Sequence, residues 1–399
     1  MRKTHLWQEA AEVDSYTTVS VTIEHPNQTR DRLWYRMSSE YSSLITQSCD
    51  PFVVATIFLA MQQRTDVVVH GEVSPSLLQN LAEFQAAWTC WCPKRYRQVE
   101  ITADVEREQL KADSNKAIAA FSGGVDSCFT VFRHSTKRCG RIGRNLQAGL
   151  MVQGFDIPLE QQETFDRAAE KSRAMLASLG MELIPIATNF RELEQDWEDA
   201  HGTGIASCLM LFQRGFEAGI IASSDPYDAL NLPYGSNPVS DWLLSSQSFQ
   251  IVHDGASFNR IEKIREIANW PEVPANLRVC WEGSQKDRNC GRCEKCIRNI
   301  LAFRVLGLGL PPCFEQDVTD SQILGIKNLK KSQLIELDPI LAAARSAGIS
   351  DSWVTALDRC ISRERRIATL KEFNDALKKR LSPTQRKLLG KLRRRLSLP

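Results

Sequence analysis

Two short stretches of this chain combine residue types at spacings that particular chemistries require. The first is Ser122-Gly123-Gly124-Val125-Asp126-Ser127. Two glycines let backbone come close to an anion, and small hydroxyls and free N–H groups at a helix start can point at it. Asp126 would repel phosphate in a pure anion hole. A carboxylate there makes sense if it holds Mg²⁺ or supports the turn. The Lys of G-x-x-x-x-G-K-[ST] is missing, which excludes a Walker A site. The second stretch is Cys280-x9-Cys290-x2-Cys293-x2-Cys296. Four thiolates with two C-x2-C steps suit tetrahedral Zn²⁺, and Gly291 fits the tight turn of a zinc knuckle. Four cysteines leave no open coordination position, so the metal is expected to be structural. An iron–sulfur cluster fits the same ligands chemically, and buried free thiols are the plainer alternative.

The elements around the first stretch are those a phosphate loop needs. Ala117 to Phe121 is a short apolar run that reads as a buried strand, and Cys128 to Phe132 can open a helix. Further apolar runs follow at Ala148–Val152, Leu183–Ile186 and Ile220–Ala222, with Ile251-Val252 a weaker one. Helix-period segments such as Phe165-Ala169-Ser172-Leu176-Leu179 lie between them. This alternation predicts an α/β fold with a parallel sheet covered on both faces. Ligands of such sheets lie beyond the carboxyl ends of the strands. That rule gathers Ser122 to Ser127, Gly154-Phe155-Asp156, Ser223-Ser224 and His253-Asp254 around one crevice. Periodicity does not give the strand order.

Three segments are expected. Residues 1–113 read as an α+β unit, with strands at Thr17–Ile23, Leu33–Met37 and Val67–Val69 and a helix through Leu77, Leu81, Phe84 and Trp88. Glu106 to Asn115 is a polar linker, and Cys90-x-Cys92 is too tight for a usual zinc pair and is assigned to the core. Residues 114–305 carry both motifs. Residues 306–399 look helical, with an apolar face from Trp353 to Leu381, an interruption at Pro383 and a basic end. From Lys378 onward there are nine Lys or Arg and no acid, so the net +2 of the chain conceals a body near −7. Twelve cysteines without an apolar leader suggest reduced thiols and metal, not disulfides, and a cytoplasmic setting. No run approaches the ~20 apolar residues of a membrane span.

The six-residue stretch matches the SGGxDS signature of the PP-loop ATP pyrophosphatases, in which the loop grips the pyrophosphate of ATP and AMP is transferred to a substrate oxygen. With C-x9-C-G-x-C-x-x-C about 150 residues later, residues 116–305 resemble the 7-cyano-7-deazaguanine synthase (QueC) family. The resemblance implies a Rossmann-like domain with a four-cysteine zinc site. It implies ATP and Mg²⁺ as cofactors, adenylation of 7-carboxy-7-deazaguanine, then amide and nitrile formation with ammonia. Arg260-Ile261-Glu262 stands where that family has Lys-x-Glu, and Arg278-Val279-Cys280-Trp281 where it has Trp-Ser-Cys-Tyr. The family's Arg-Asn pair is replaced by His201-Gly202-Thr203-Gly204. Its segment after the fourth strand is replaced by Ser223-Ser224-Asp225 and Pro233 to Pro238. With its added N-terminal unit and basic tail, the chain is more similar to the longer QueC-like proteins of bacterial antiphage operons, of the Qat and type IV CBASS kinds. There the acceptor amine could belong to a partner protein from the same operon.

Asp126 and Arg260 are the candidate catalytic residues. Arg260 could hold an α-phosphate or carboxylate with bidentate geometry, or pair on the surface with Glu262 or Glu266. Asp156, His201, Ser223, Ser224 and Asp254 are candidates for the crevice wall; Asp156 could instead cap a segment, and His201 could be a structural histidine. Cys128 at the helix start reads as packing more than as a reactive thiolate. The basic tail could bind nucleic acid or an acidic protein, or simply be a solvated helix end whose Leu388, Leu389, Leu392 and Leu396 pack. Three functions stay open: a deazaguanine ligase or amide synthase, a tRNA-modifying PP-loop enzyme, and a non-catalytic QueC-like subunit. Oligomeric state is not legible.

Overall fold

A computed structural model of the protein describes residues 3–380, with side chains through residue 371. They form two compact units, divided between Asp317 and Val318. Residues 381–399, which hold most of the basic tail, Pro383 and the tail leucines, lie outside the described residues.

The first unit is built on one eleven-stranded sheet. Its N-terminal strands are β1 (Thr4–Gln8), β2 (Glu12–Val13), β3 (Tyr16–Glu24), β4 (Arg30–Ser38), β5 (Val67–Val73) and β6 (Ile101–Glu106). Those that follow are β7 (Lys116–Ala120), β8 (Asn145–Gln153), β9 (Glu182–Thr188), β10 (Ala218–Ala222) and β11 (Gln250–Asp254). The spatial order is β11-β10-β7-β8-β9-β4-β3-β1-β5-β6, with β2 beside β3. Strands β11, β10, β7, β8 and β9 pair parallel. The pairings of β9 with β4, β4 with β3, and β3 with β1 are antiparallel, and those of β1, β5 and β6 parallel again. The sheet is therefore mostly parallel, as the alternating pattern predicts.

Residues 1–113 do not stand apart as the sequence suggests. Tyr35, Arg36 and Met37 of β4 pair with Thr188, Ala187 and Ile186 of β9, so the sheet runs through the expected boundary. Helix α1 (Asp50–Gln63) is apolar on every side and nearly all of it is buried. A helix of that kind needs neighbours all round. Helix α2 (Pro75–Trp91) shows the one-sided pattern instead, with Leu77, Leu81, Phe84 and Trp88 inward. The Leu59 amide and Ala55 carbonyl of α1 bond the Gln195 side chain at 3.1 and 3.0 Å. The buried Tyr35 hydroxyl donates to Ser207 at 2.9 Å, and the Tyr96 hydroxyl to Asp199 at 2.6 Å. Glu106 to Asn115 is a turn of chain between neighbouring parts of one core, not a tether between domains. Cys90 is exposed and Cys92 half-buried, so this pair is not core.

The remaining helices of this unit are α3 (Val125–Ser135), α4 (Gln162–Ser178), α5 (Trp197–Met210), α6 (Arg260–Ile267), α7 (Val273–Asn276) and α8 (Glu294–Val305). The second unit is helical, with α9 (Asp320–Gly325), α10 (Lys331–Ser346) and α11 (Ser352–Arg380) around Leu337, Ile340, Leu357 and Ile361. It begins twelve residues later than the sequence suggests. No helix among the described residues is long and apolar enough to cross a membrane.

Candidate functional site

Strand β7 has β8 on one side and β10 on the other, so the strand order reverses direction there. A parallel sheet opens a crevice at such a point, beyond the strand ends. Ser122 to Ser127 emerge from the carboxyl end of β7 and start α3. Gly123 has φ +72°, a left-handed conformation that favours glycine. The Gly124 amide donates to Ser122 Oγ at 3.3 Å, and Ser127 Oγ donates to the Gly124 carbonyl at 3.1 Å. These bonds fold the loop back on itself and leave the first turn of α3 facing the crevice.

Asp126 sits in that first turn. Its Oδ2 accepts from Arg260 Nη1 at 3.1 Å and its Oδ1 from Lys263 Nζ at 2.9 Å. Lys263 is 1% exposed and also donates to the Ser223 carbonyl at 2.6 Å, tying the loop to the end of β10. Arg260 and Lys263 are three residues apart and share a face of α6. Asn259 and Glu262 form a capping box at the start of α6. Glu262 is thus engaged as a cap, and Glu266 pairs with Arg138. Burial raises the Asp126 pKa, but Arg260 and Lys263 outweigh it and bring the group down to about 2.

The opposite wall comes from the cysteine cluster. The four sulfurs of Cys280, Cys290, Cys293 and Cys296 lie within 4.8 Å of one another. Cys280 and Cys293 are 3.7 Å apart, and Cys290 and Cys296 3.8 Å. A tetrahedron with Zn–S bonds of ~2.3 Å has edges of about 3.8 Å. The amides of Arg292 and Cys293 donate to Cys290 Sγ, and that of Cys296 to Cys293 Sγ. Gly291 turns the chain at φ +68°. The residues fit a four-thiolate zinc ion.

This cluster fixes both chain segments that face the loop. Arg278 lies two residues before Cys280. Its amide donates to the Gly123 carbonyl at 2.8 Å, and its Nε donates to the Ser122 carbonyl at 3.2 Å. Lys295, between Cys293 and Cys296, holds its Nζ 3.4 Å from the centroid of the Trp281 ring. Burial, with Arg298 and Arg260 nearby, lowers the Lys295 pKa to about 8. The pocket between the two walls is lined by Ser122, Gly124 to Ser127, Asp156, Arg260, Arg278, Val279, Cys280, Trp281, Lys295 and Asn299. Three cations and two carboxylates face it, and Lys263 stands behind Asp126. The balance is positive, and such a pocket suits an anion.

Of the crevice residues expected from sequence, Asp156 lines the pocket, 3.7 Å from Arg278 Nη2. The others do not line it. Ser223 is buried and donates to the Asp225 carbonyl at 2.6 Å, while Ser224 follows it outside the pocket. Asp254 is buried beneath α3, where it accepts from Thr130 at 2.8 Å and meets His134 and Arg133. His201 packs its ring against Trp197 and Tyr234, and burial lowers its pKa. Cys128 is buried and its thiol pKa is pushed up, as packing requires. Lys263, behind Asp126, and the pocket residues Lys295 and Asn299 are not singled out by the sequence. The first had a signal in its one-turn spacing from Arg260. The other two share a face of α8, at i and i+4, immediately beside the metal-ligand motif.

No protein-family model matches the chain, and neither a curated protein nor a solved structure does.

Proposed function

We propose that the protein is an AMP-forming, ATP-dependent enzyme that activates a carboxylate of the 7-carboxy-7-deazaguanine type and transfers it to an amine. The observation that carries this reading is the cation-lined pocket where an SGGxDS loop starts α3 at the reversal of strand order. In the proposed reaction a carboxylate oxygen attacks the α-phosphorus of ATP and pyrophosphate leaves. The amine then attacks the acyl carbon, AMP leaves and one proton is released. The α3 N-terminus and Arg260 and Arg278 are suited to the charge of the departing pyrophosphate. Zinc in the four-thiolate site would hold Arg278 and Lys295 in place and take no part in the chemistry. Incubation with ATP, Mg²⁺ and 7-carboxy-7-deazaguanine should yield AMP and pyrophosphate; ADP and phosphate would overturn the proposal.

The acceptor is proposed to be a protein amine from an antiphage operon. The replacement of the family's Arg-Asn pair by His201 to Gly204 supports it, and a mass increase on a co-expressed partner is the test. A nitrile-forming activity with ammonia is the second reading. Lys263 favours it, because the amine that the Arg260 replacement removes from one position stands three residues later, against Asp126. Nitrile made by the purified chain from ATP, ammonia and the carboxylate would decide for that reading.

A further inference from the structure

Asp126 has two roles open to it in the sequence, metal ligand or support of the loop. The geometry separates them. A carboxylate offers two oxygens, and here each already accepts from a cation, Oδ2 from Arg260 and Oδ1 from Lys263. Lys263 cannot swing aside cheaply. Its side chain is 1% exposed, and its second acceptor is the Ser223 carbonyl at the end of β10. Moving it would strand an ammonium in the interior. Mg²⁺ binds through carboxylate oxygens at ~2.0–2.1 Å and keeps a full octahedral shell. On Asp126 such an ion would sit against two positive groups in contact with the same carboxylate. The other carboxylate facing the pocket, Asp156, lies 3.7 Å from Arg278. Both acids of the pocket are therefore matched to cations, and the residues do not fit a protein-held magnesium ion.

We infer that Asp126 is a positioning residue that anchors Arg260 and Lys263, and that the pocket binds a pyrophosphate-type anion through its own cations without a divalent ion on Asp126. This inference rests on the anion-site reading above. The acid fixes the direction of Arg260, which lines the pocket, and ties it to Lys263 behind. Arg260 is then held toward the pocket before any ligand arrives, which lowers the ordering cost of binding.

The test is calorimetric titration of the zinc-loaded full chain with inorganic pyrophosphate, with no added divalent ion and again with Mg²⁺. Affinities within about threefold of each other are expected, and Arg260→Gln should weaken metal-free binding about tenfold by removing a charge-assisted contact. Mn²⁺ uptake, read by electron paramagnetic resonance, should be the same in the wild type and Asp126→Asn. Pyrophosphate binding that requires Mg²⁺ and is lost in Asp126→Asn would overturn the inference while leaving an anion site in place. Failure to bind pyrophosphate under either condition would overturn both the inference and the anion-site reading.

Discussion

The two halves of the large sheet differ in what they do with similar strands. From β11 to β9 the strands are parallel, and their carboxyl ends carry the loop, α6 and, further on, the cysteine cluster. From β4 to β6 the sheet is mixed, and none of its residues reaches the pocket. The parallel half needs helices on both faces, and one cover of α5 is α1, which comes from the mixed half. A part with no recognisable motif thus shares one sheet and one core with the pocket-bearing half. It completes the core on which the pocket stands.

Removing the mixed half is the severest way to probe this. A chain beginning at residue 114 would expose β9 as a new edge and strip α5 of its cover. Such edges and apolar faces aggregate. We expect an insoluble product; a soluble 114–399 fragment that unfolds cooperatively would show that the halves are independent after all.

Metal removal should act through the parallel half, which holds the cysteine cluster. Four-thiolate zinc contributes folding free energy directly. We expect close to one zinc per chain by elemental analysis. Cys293→Ser should lower the thermal midpoint by roughly 10 °C or more and, by releasing Arg278 and Lys295, weaken pyrophosphate binding. An unchanged midpoint in metal-free protein would mean that the cluster is four free thiols.

Asp126→Ala leaves Lys263 buried without its carboxylate, which costs about 3 kcal/mol in comparable buried pairs. Urea denaturation near neutral pH reads this difference. The sign of its pH dependence follows from the depressed pKa. The contribution is fully present above the ordinary carboxylate range and is lost as pH falls through about 2. The gap between wild type and variant should therefore narrow below pH ~4. A gap that stays constant down to pH 2 would deny the ion pairs. Gly123→Ala is the mildest probe. At φ +72° a Cβ should cost about 1 kcal/mol, with weaker pyrophosphate binding and no loss of zinc. A variant as stable as the parent would remove the argument for a left-handed turn.

Much of the site was legible because its motifs are local. Ser122 to Ser127 and the four cysteines are contiguous or nearly so, and their backbone demands are written in Gly123 and Gly291. The parallel strands were legible for the same reason, since each is a short apolar run between polar turns. What the sequence hid is non-local. The antiparallel seam between β4 and β9 joins residues some 150 positions apart and leaves no periodic trace. Helix α1, apolar all round, lacks the one-sided pattern that marks a surface helix. Lys263 and Lys295 look like ordinary helix-surface lysines until α6 and α8 are set against the loop. His253 and Asp254 lie away from the pocket because the end of a strand has two faces. Asp254 turns beneath α3, while His253 turns to Asp241, 2.8 Å away.

The proposed first step in this pocket is formation of an acyl-adenylate with release of pyrophosphate. Isotope exchange between labelled pyrophosphate and ATP tests it most directly, because it reads the first step alone. With 7-carboxy-7-deazaguanine present and no amine, label should enter ATP, and it should not do so without the carboxylate. Absence of exchange alongside carboxylate-dependent formation of ADP and phosphate would rule out the adenylate.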